Sequence, residues 1–495
     1  MAGGEITPQG ASEQPAVDRR ARIAILLTCS LSLFIVSMDS TIVNVALPSI
    51  GHDFSARLDG LQWVVDAYLL VLATLLIVSG STGDRIGRRR VFQIGLVIFG
   101  LGSLACSVAP SLPALIAFRM LQAIGGSMLN PNSLSIIANV FTEPRERAAA
   151  IGIWGSVFGV SAAAGPILGG LLTDSVGWRA VFWVNLPIVL VALILTRRFV
   201  PESRAPRARR IDPAGQVLAA VLLGALCFGI VEGPRDGWSS SGILAAFAAA
   251  AAALIAFVIV ERRQHEPLLD LRFFRSPLLT GASLIAVLTF IVVAGFLFLN
   301  TLYLQTARGY SPLHAGLAIL PTSIAIIIAA PITGRIVGRR GARLPMVVGG
   351  LLMAAGAALL ATVTLSTGYP ELALAYALIG LGSGTINPPI SNAAVSGMPR
   401  AQAGAAAAIA STSRQIGSAL GVALTGSVIA AQVPGLARHG VSTAVRQAFT
   451  SSTHAGWVLF AACALAISLV ALATSGAWGR ARAERAAAAL ADASL

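Results

Sequence analysis

Runs of about twenty apolar residues recur along almost the whole chain, and a run of that length is what a helix needs to cross the roughly 30 Å hydrocarbon core of a bilayer. They begin near Ile23, Leu61, Val91, Leu112, Ala148, Ala180, Pro213, Gly242, Pro277, Pro312, Pro345, Glu371, Ala403 and His454. Read by length and hydropathy, they predict an all-α integral membrane protein with about fourteen transmembrane helices. Hydrophobic residues make up 56% of the chain and charged residues only 11%, where soluble domains carry about 25% charged residues. A water-soluble enzyme is excluded.

Asp39, Asp66, Arg119 and Arg414 interrupt these runs. A charge at mid-bilayer costs roughly 2.5 to 3.5 kcal/mol on insertion scales, so such residues line a water-filled path or pair with one another. They imply a transport route. At about 1.5 Å of rise per residue, Asp39, Asp66 and Arg119 lie roughly 14, 8 and 11 Å from the outer ends of their spans, at a similar level. A neighbouring arginine favours an ionised carboxylate and desolvation disfavours it, so a conformational change can swing proton affinity either way. Asp39 and Asp66 are therefore candidates for carrying the coupling protons, with Arg119 modulating them; a static ion pair is the alternative. Arg414, about 16 Å into the thirteenth span, either contacts substrate or holds its bundle together.

Every one of the 35 lysine-plus-arginine residues is an arginine. Of these, 27 fall in the tails and alternate loops, 6 in the opposite loops and 2 within spans, which places both termini in the cytoplasm by the positive-inside rule. The stretch from Met1 to Arg22 lacks a small-residue cleavage site, so no removable signal peptide is expected. Without lysine there is no P-loop to hold ATP and no Schiff base for retinal or pyridoxal phosphate. No cofactor is expected, and a proton gradient is the expected energy source. The formal charge of +14 is spread over cytoplasmic loops rather than gathered for nucleic acid. Cys29, Cys106, Cys227 and Cys463 have no metal-ligand spacing and read as small buried hydrophobes, so no metal site is expected.

An internal repeat organises the chain. Ile124-Gly-Gly-Ser-Met-Leu-Asn-Pro131, followed by Glu143-Pro-Arg145, is echoed by Leu381-Gly-Ser-Gly-Thr-Ile-Asn-Pro388, followed by Met398-Pro-Arg400. Gly83-Asp-Arg-Ile-Gly-Arg-Arg89 is echoed by Thr333-Gly-Arg-Ile-Val-Gly-Arg-Arg340. The expected organisation is a cytoplasmic tail over 1–22, a six-helix bundle over 23–196, a basic linker over 197–212, two inserted helices over 213–262, a second six-helix bundle with its preceding loop over 263–476, and a cytoplasmic tail over 477–495. Parallel halves of this kind support alternating access, with substrate held between them near the midplane.

Gly80-Ser-Thr-Gly83-Asp84-Arg85-Ile-Gly87-Arg88-Arg89, between spans two and three, resembles the signature loop of the major facilitator superfamily. Met38-Asp39-Ser-Thr-Ile-Val-Asn44-Val-Ala-Leu-Pro48, Gln62-Trp63-Val-Val-Asp66-Ala-Tyr68, Gly177-Trp-Arg-Ala-Val-Phe-Trp-Val-Asn185-Leu-Pro187 and Pro267-Leu-Leu-Asp-Leu-Arg-Phe-Phe274 resemble its fourteen-helix drug:proton antiporter family, of the EmrB/QacA type. The resemblance runs from roughly Ile23 to Ala477. It implies a multidrug efflux transporter that exchanges antibiotics, dyes or other toxic organic molecules for protons.

In the loop, the glycines let two helix ends turn and approach closely, and Asp84 can accept from arginines or a helix N-terminus. Asp84 is expected to latch the cytoplasmic side in the outward-facing state, and its repeat counterpart, Gly334, makes that latch one-sided. In the fifth span Gly155, Gly159 and Ala163 recur every four residues, a spacing for close helix packing. Gly165-Pro166-Ile-Leu-Gly169-Gly170 follows, where the proline can bend the helix, and this pattern resembles the superfamily's antiporter motif, which favours export.

Trp63, Tyr68, Trp154, Phe158, Phe296 and Phe298 are candidates for an aromatic-lined cavity, with Asn44, Gln122 and Arg414 as its polar groups; taken singly, each aromatic suits a lipid-facing or core position better. No acid lies deep in a second-half span, which favours a neutral, amphiphilic or singly cationic substrate. The arginine-only, alanine-rich usage points to a bacterial cytoplasmic membrane. A proton-coupled importer of a nutrient, an exporter of one endogenous metabolite and a non-transporting sensor remain the alternatives.

Overall fold

Prolines and short polar residues mark where the helices start. Ser111, Glu143, Asp212, Ser240 and Ser311 each accept from the backbone N–H three residues on, satisfying one of the donors that a first helical turn leaves open. The computed structural model describes residues 18–204, 212–264, 269–396, 403–432 and 443–476, with fragments of 479–486. Most of the amino-terminal tail, the centre of the basic linker, Pro267 and Leu268, Met398-Pro-Arg400 and most of 477–495 lie outside the described residues.

Among the described residues sixteen α-helices follow in order: α1 (Arg19–Asp53), α2 (Leu58–Ile86), α3 (Arg88–Ser107), α4 (Leu112–Val140), α5 (Pro144–Ser175), α6 (Ala180–Trp183), α7 (Asn185–Phe199), α8 (Pro213–Asp236), α9 (Ser241–Arg263), α10 (Pro277–Leu302), α11 (Pro312–Ala318), α12 (Leu320–Arg340), α13 (Arg343–Leu360), α14 (Tyr369–Ser396), α15 (Ala403–Gln432) and α16 (Thr443–Thr474). Among the described residues no strand forms. Among the described residues, twelve stretches are long and apolar enough to cross a membrane; α14 and α15, of 28 and 30 residues, are long enough but rich in Gly, Ser and Thr. Counting those two gives fourteen spans. Two of them are interrupted where the sequence reads as continuous: Val184 separates α6 from α7, and Ile319 separates α11 from α12. The ninth span continues past Leu302 into a π-helical turn over Tyr303–Ala307.

The two halves pack by one plan. In the first, α1 lies on α5 and α7, and α4 receives both α2 and α3; in the second, α10 lies on α15 and α16, and α14 receives both α12 and α13. Glycines set the closest crossings in both. A Cβ on Gly125 would stand 2.7 Å from the Gly95 carbonyl, and one on Gly382 would stand 2.5 Å from that of Gly349. Small residues at these points let backbones touch. The inserted helices α8 and α9 pack on each other, and α8 leans against α2 of one bundle and α15 of the other.

The bundles meet at the end opposite the arginine-rich loops. There Gln62 of α2 donates to the carbonyls of Val422 and Ala423 on α15 at 3.2 and 3.0 Å. Gly170 of α5 lies against the backbone of Pro312 and Leu313, and Gln305 donates to the Val45 carbonyl at 2.8 Å. Toward the basic end they part: a Cβ on Gly152 or Gly155 of α5, or on Gly334 or Gly338 of α12, would meet nothing within 4 Å. A vestibule therefore opens between the bundles on the basic side.

Candidate functional site

Asp39 and Arg119 form an ion pair sealed from solvent, 0% and 1% exposed, with Arg119 Nη1 2.5 Å from Asp39 Oδ2. Arg119 and Gln122, three positions apart on α4, share a helix face, so both reach α1. Gln122 Nε2 donates to Asp39 Oδ1 at 2.8 Å and to Ser103 Oγ of α3 at 2.7 Å, while its Oε1 accepts from Arg119 Nη1 at 2.6 Å. Asn185, the first residue after the break in span six, donates to Asp39 Oδ1 at 3.0 Å. Arg119 Nε donates to the Val64 carbonyl at 3.2 Å, and its guanidinium lies 4.0 Å from the centroid of the Tyr68 ring. Three donors on one carboxylate are what a buried ion pair requires, because only full hydrogen bonding offsets the desolvation of two charges.

Asp66 does not join this cluster, contrary to the expectation from its depth. Val64 and Tyr68, four positions apart on α2, face α4 and Arg119. Asp66 lies two positions from each, about 200° around the helix, on the side of Gln62 and Trp63 that faces α15 and α8. Trp63 Nε1 donates to Glu232 Oε1 of α8 at 2.9 Å. Asp66 is 0% exposed, and neither of its carboxylate oxygens has a hydrogen-bond partner. The structure thus holds two wholly buried carboxylates in opposite surroundings, one crowded with donors and one without any.

Several cavity candidates are placed elsewhere. Tyr68 is fully buried under Arg119, and Gln122 is part of the ion-pair network. Phe296 packs on Tyr376 and Trp457 at 5.5 and 6.1 Å between ring centroids, inside the second bundle, and Phe298 is also fully buried. Their apolar faces are spent on core packing. Trp63 turns outward to α8, with its ring 6.4 Å from Phe228, and Asn44 is buried with its Nδ2 on the Ser40 carbonyl at 2.8 Å. Of the nine, Trp154, Phe158 and Arg414 remain half-buried or exposed along the inner faces. Phe158 is 37% exposed with its ring 6.5 Å from Phe290 of α10. Arg414 Nη2 donates to Ser391 Oγ of α14 at 2.6 Å.

In the loop between α2 and α3, Gly83 packs against the Asn132 side chain and Gly80 lies near Pro131, both on α4. Gly87 caps α2 at φ 128°, a left-handed conformation that glycine alone adopts at little cost. Asp84 Oδ1 accepts from Nε and Nη2 of Arg88 at 2.9 and 2.8 Å. The N–H of Arg89 donates to Glu202 Oε1 at 3.1 Å, and its Nη2 to the Arg197 carbonyl at 2.9 Å. Arg85 stands beside Asp84 at the end of α2. In this conformation the loop is fastened within its own bundle.

The glycines of α5 divide. Gly165 and Gly169 lie against Thr41 and Ile42 of α1, and Gly170 against α11. Gly159 has only Ile327 near it, and Gly155 has nothing, so Gly155 is not a packing glycine here. The helix runs through Pro166, whose ring nitrogen carries no hydrogen, so the carbonyl four residues earlier loses its intrahelical donor. That carbonyl, on Ala162, accepts from Ser323 Oγ of α12 at 3.2 Å. The proline thereby creates a hydrogen bond between bundles.

Asn185, Ser103, Gln62 and Glu232 are the members of this machinery that the sequence reading left unassigned. Asn185 and Gln62 carried a signal, as polar residues inside apolar runs. The repeat carries another: Arg119 stands five residues before Ile124, and Tyr376 five before Leu381. Tyr376 donates through its hydroxyl to Asn300 Oδ1 of α10 at 2.6 Å. The second bundle thus holds a neutral pair where the first holds the ion pair.

Two repeated six-helix bundles, closed on each other at one end around buried charges, define a multi-pass membrane transporter. The chain belongs to the Major Facilitator Superfamily, whose profile matches residues 29–422. It is 40% identical over 415 residues, 83% of this chain and 76% of the relative, to multidrug resistance protein Stp of Mycobacterium tuberculosis (strain CDC 1551 / Oshkosh). It is 37% identical over 429 residues, 86% of this chain and 79% of the relative, to the tetracenomycin C resistance and export protein of Streptomyces glaucescens. In structure it is similar to a bacterial homologue of the human lysosomal transporter Spinster in an inward-facing, unoccupied conformation, with a TM-score of 0.69 over 95% of this chain and 99% of that one. At 19% identity that likeness is one of fold.

Proposed function

We propose that the protein exports lipophilic organic compounds across a bacterial cytoplasmic membrane in exchange for protons, with both termini and the basic end in the cytoplasm and with no nucleotide or other cofactor. The observation that carries this reading is the contrast between Asp39, held by Arg119, Gln122 and Asn185, and Asp66, buried without a partner between α2, α8 and α15. An acid with no counter-charge in a dry seam is held most cheaply as the neutral, protonated form. The seam is also where the bundles meet. Parting α2 from α15 breaks the Gln62 contacts and brings Asp66 to outer water, where it exchanges its proton; rocking the bundles together seals it again. Arg119 and Asp39 form the fixed counterpart within the first bundle. The names of the relatives, multidrug resistance and antibiotic export, support organic cargo moving outward.

The test is gradient-driven accumulation of fluorescent organic probes, neutral, cationic and anionic, in everted vesicles. Wild-type protein accumulates at least one probe when the vesicle interior is acidified, and Asp39→Asn and Asp66→Asn lose the dependence on the gradient. Retention of gradient-driven accumulation by both variants would reject the assignment.

A further inference from the structure

We infer that Arg414 forms a subsite for an acidic group on the exported compound, so that the preferred cargo is a lipophilic aromatic molecule bearing a carboxylate or an ionised phenol. The inference rests on the export reading above and specifies its substrate class.

The argument starts from charge. Between Pro277 and Gly476 the chain contains a single acidic residue, Glu371, near the start of α14. Arg414, eleven residues into α15, therefore has no carboxylate within its own bundle at its depth. The acids of the first bundle are engaged or sealed away: Asp39 is bound by Arg119, Asp84 by Arg88 near the loop, and Asp66 is 0% exposed within the α2–α15 seam. A guanidinium midway through a span is not stable against lipid, so its half-exposed side chain meets the water of the vestibule. Its only hydrogen bond among the described residues is to Ser391, which is exposed, and its Nε is buried and has no partner.

Trp154 lies at a matching depth, ten residues into α5, about 15 Å from the basic end against about 16 Å for Arg414. It is one turn from Phe158, whose ring faces Phe290 of the second bundle, and the indole Nε1 is buried with no partner. Next to it, the space beside Gly155 is empty. The guanidinium of Arg414, beside Ser391 and with no carboxylate partner, suits a compound with an anionic acceptor, and the exposed ring of Phe158 on the other bundle suits a flat aromatic one. A cationic compound finds no acid on these walls among the described residues. This departs from the neutral or cationic substrate expected from sequence, because both buried aspartates turn out to be withheld from the vestibule.

The experiment compares fluorescein, which carries a carboxylate and an ionisable phenol, with rhodamine 123, which keeps the xanthene skeleton but is an esterified cation. Both are followed by gradient-driven accumulation in everted vesicles and by fluorescence polarisation on purified protein. Wild-type protein is expected to prefer fluorescein. Arg414→Gln is expected to weaken fluorescein binding by about tenfold to a hundredfold, the range of one charged hydrogen bond, and to leave rhodamine 123 binding unchanged, while Arg414→Lys keeps part of the preference. Equal losses for both dyes, or a wild-type preference for rhodamine 123, overturns the inference. Should Arg414→Gln fail to insert, the wild-type preference and the Arg414→Lys protein decide. Transport of rhodamine 123 alone defeats the subsite but leaves the export reading standing; no gradient-driven transport of any probe defeats the export reading itself.

Discussion

The two bundles share a packing plan and differ in what they bury at its centre. Where α4 meets α1, Arg119 and Asp39 form a charged pair with three further polar partners; where α14 meets α10, Tyr376 and Asn300 form a single neutral hydrogen bond. Both arrangements satisfy the geometry of a helix crossing. The neutral one shows that the fold does not need the charges, which are costly to bury and weak as a source of stability. Their retention in one half points to work other than holding helices together, and it makes the scaffold symmetric while the chemistry is one-sided. The same asymmetry extends to Asp66, to Asp84, which faces Gly334 across the repeat, and to Pro166, for which α15 has no proline in return.

The comparison breaks most visibly if one charge is removed. Arg119→Ala leaves Asp39 buried with no counter-charge, and such losses cost roughly 3 to 5 kcal/mol; thermal unfolding of the detergent-purified protein should register it, along with loss of transport. Next in size is an exchange of designs. The double substitution Asp39→Asn with Arg119→Tyr copies the second bundle's neutral pair into the first, and is expected to recover most of that stability in the same unfolding assay while remaining unable to couple export to a proton gradient. Recovery of coupled export by the double variant would mean that the ion pair is structural. A smaller effect is expected from Tyr376→Phe, which removes one neutral hydrogen bond, worth about 0.5 to 1.5 kcal/mol, with gradient-driven export preserved. The smallest concerns the seam: Ser323→Ala should change stability by less than about 1 kcal/mol yet increase access to a cysteine placed at Ala162, read by the rate of maleimide labelling.

Much of this was legible in the sequence, for a physical reason. Lipid allows few solutions, so apolar runs located the spans to within a turn or a few, and the repeated Gly-rich motifs matched the two halves. The ion pair was legible because a charge in an apolar span needs a partner. Asp66 was misplaced because depth along an axis was read while the angle around it was not; two residues turn a side chain to the opposite face of a helix. Phe296 and Phe298 were not separable from Trp154 and Phe158, since an aromatic ring suits a core, a cavity wall and lipid alike. The breaks at Val184 and Ile319 carry no glycine or charge, but Pro187 and Pro321 follow them within three residues, and the missing N–H of each proline is the signal that the apolar runs concealed.

The bond from Ser323 to Ala162 exists because a proline withholds a hydrogen, and neither of its members can be titrated at any physiological acidity. The closure of the far end at α5 and α12 is therefore blind to the gradient. Whatever the proton does in this molecule, it must act through carboxylates elsewhere, Asp39 inside the first bundle and Asp66 on the opposite seam, rather than by loosening this contact, so the same latch closes equally well in acid and in neutral surroundings.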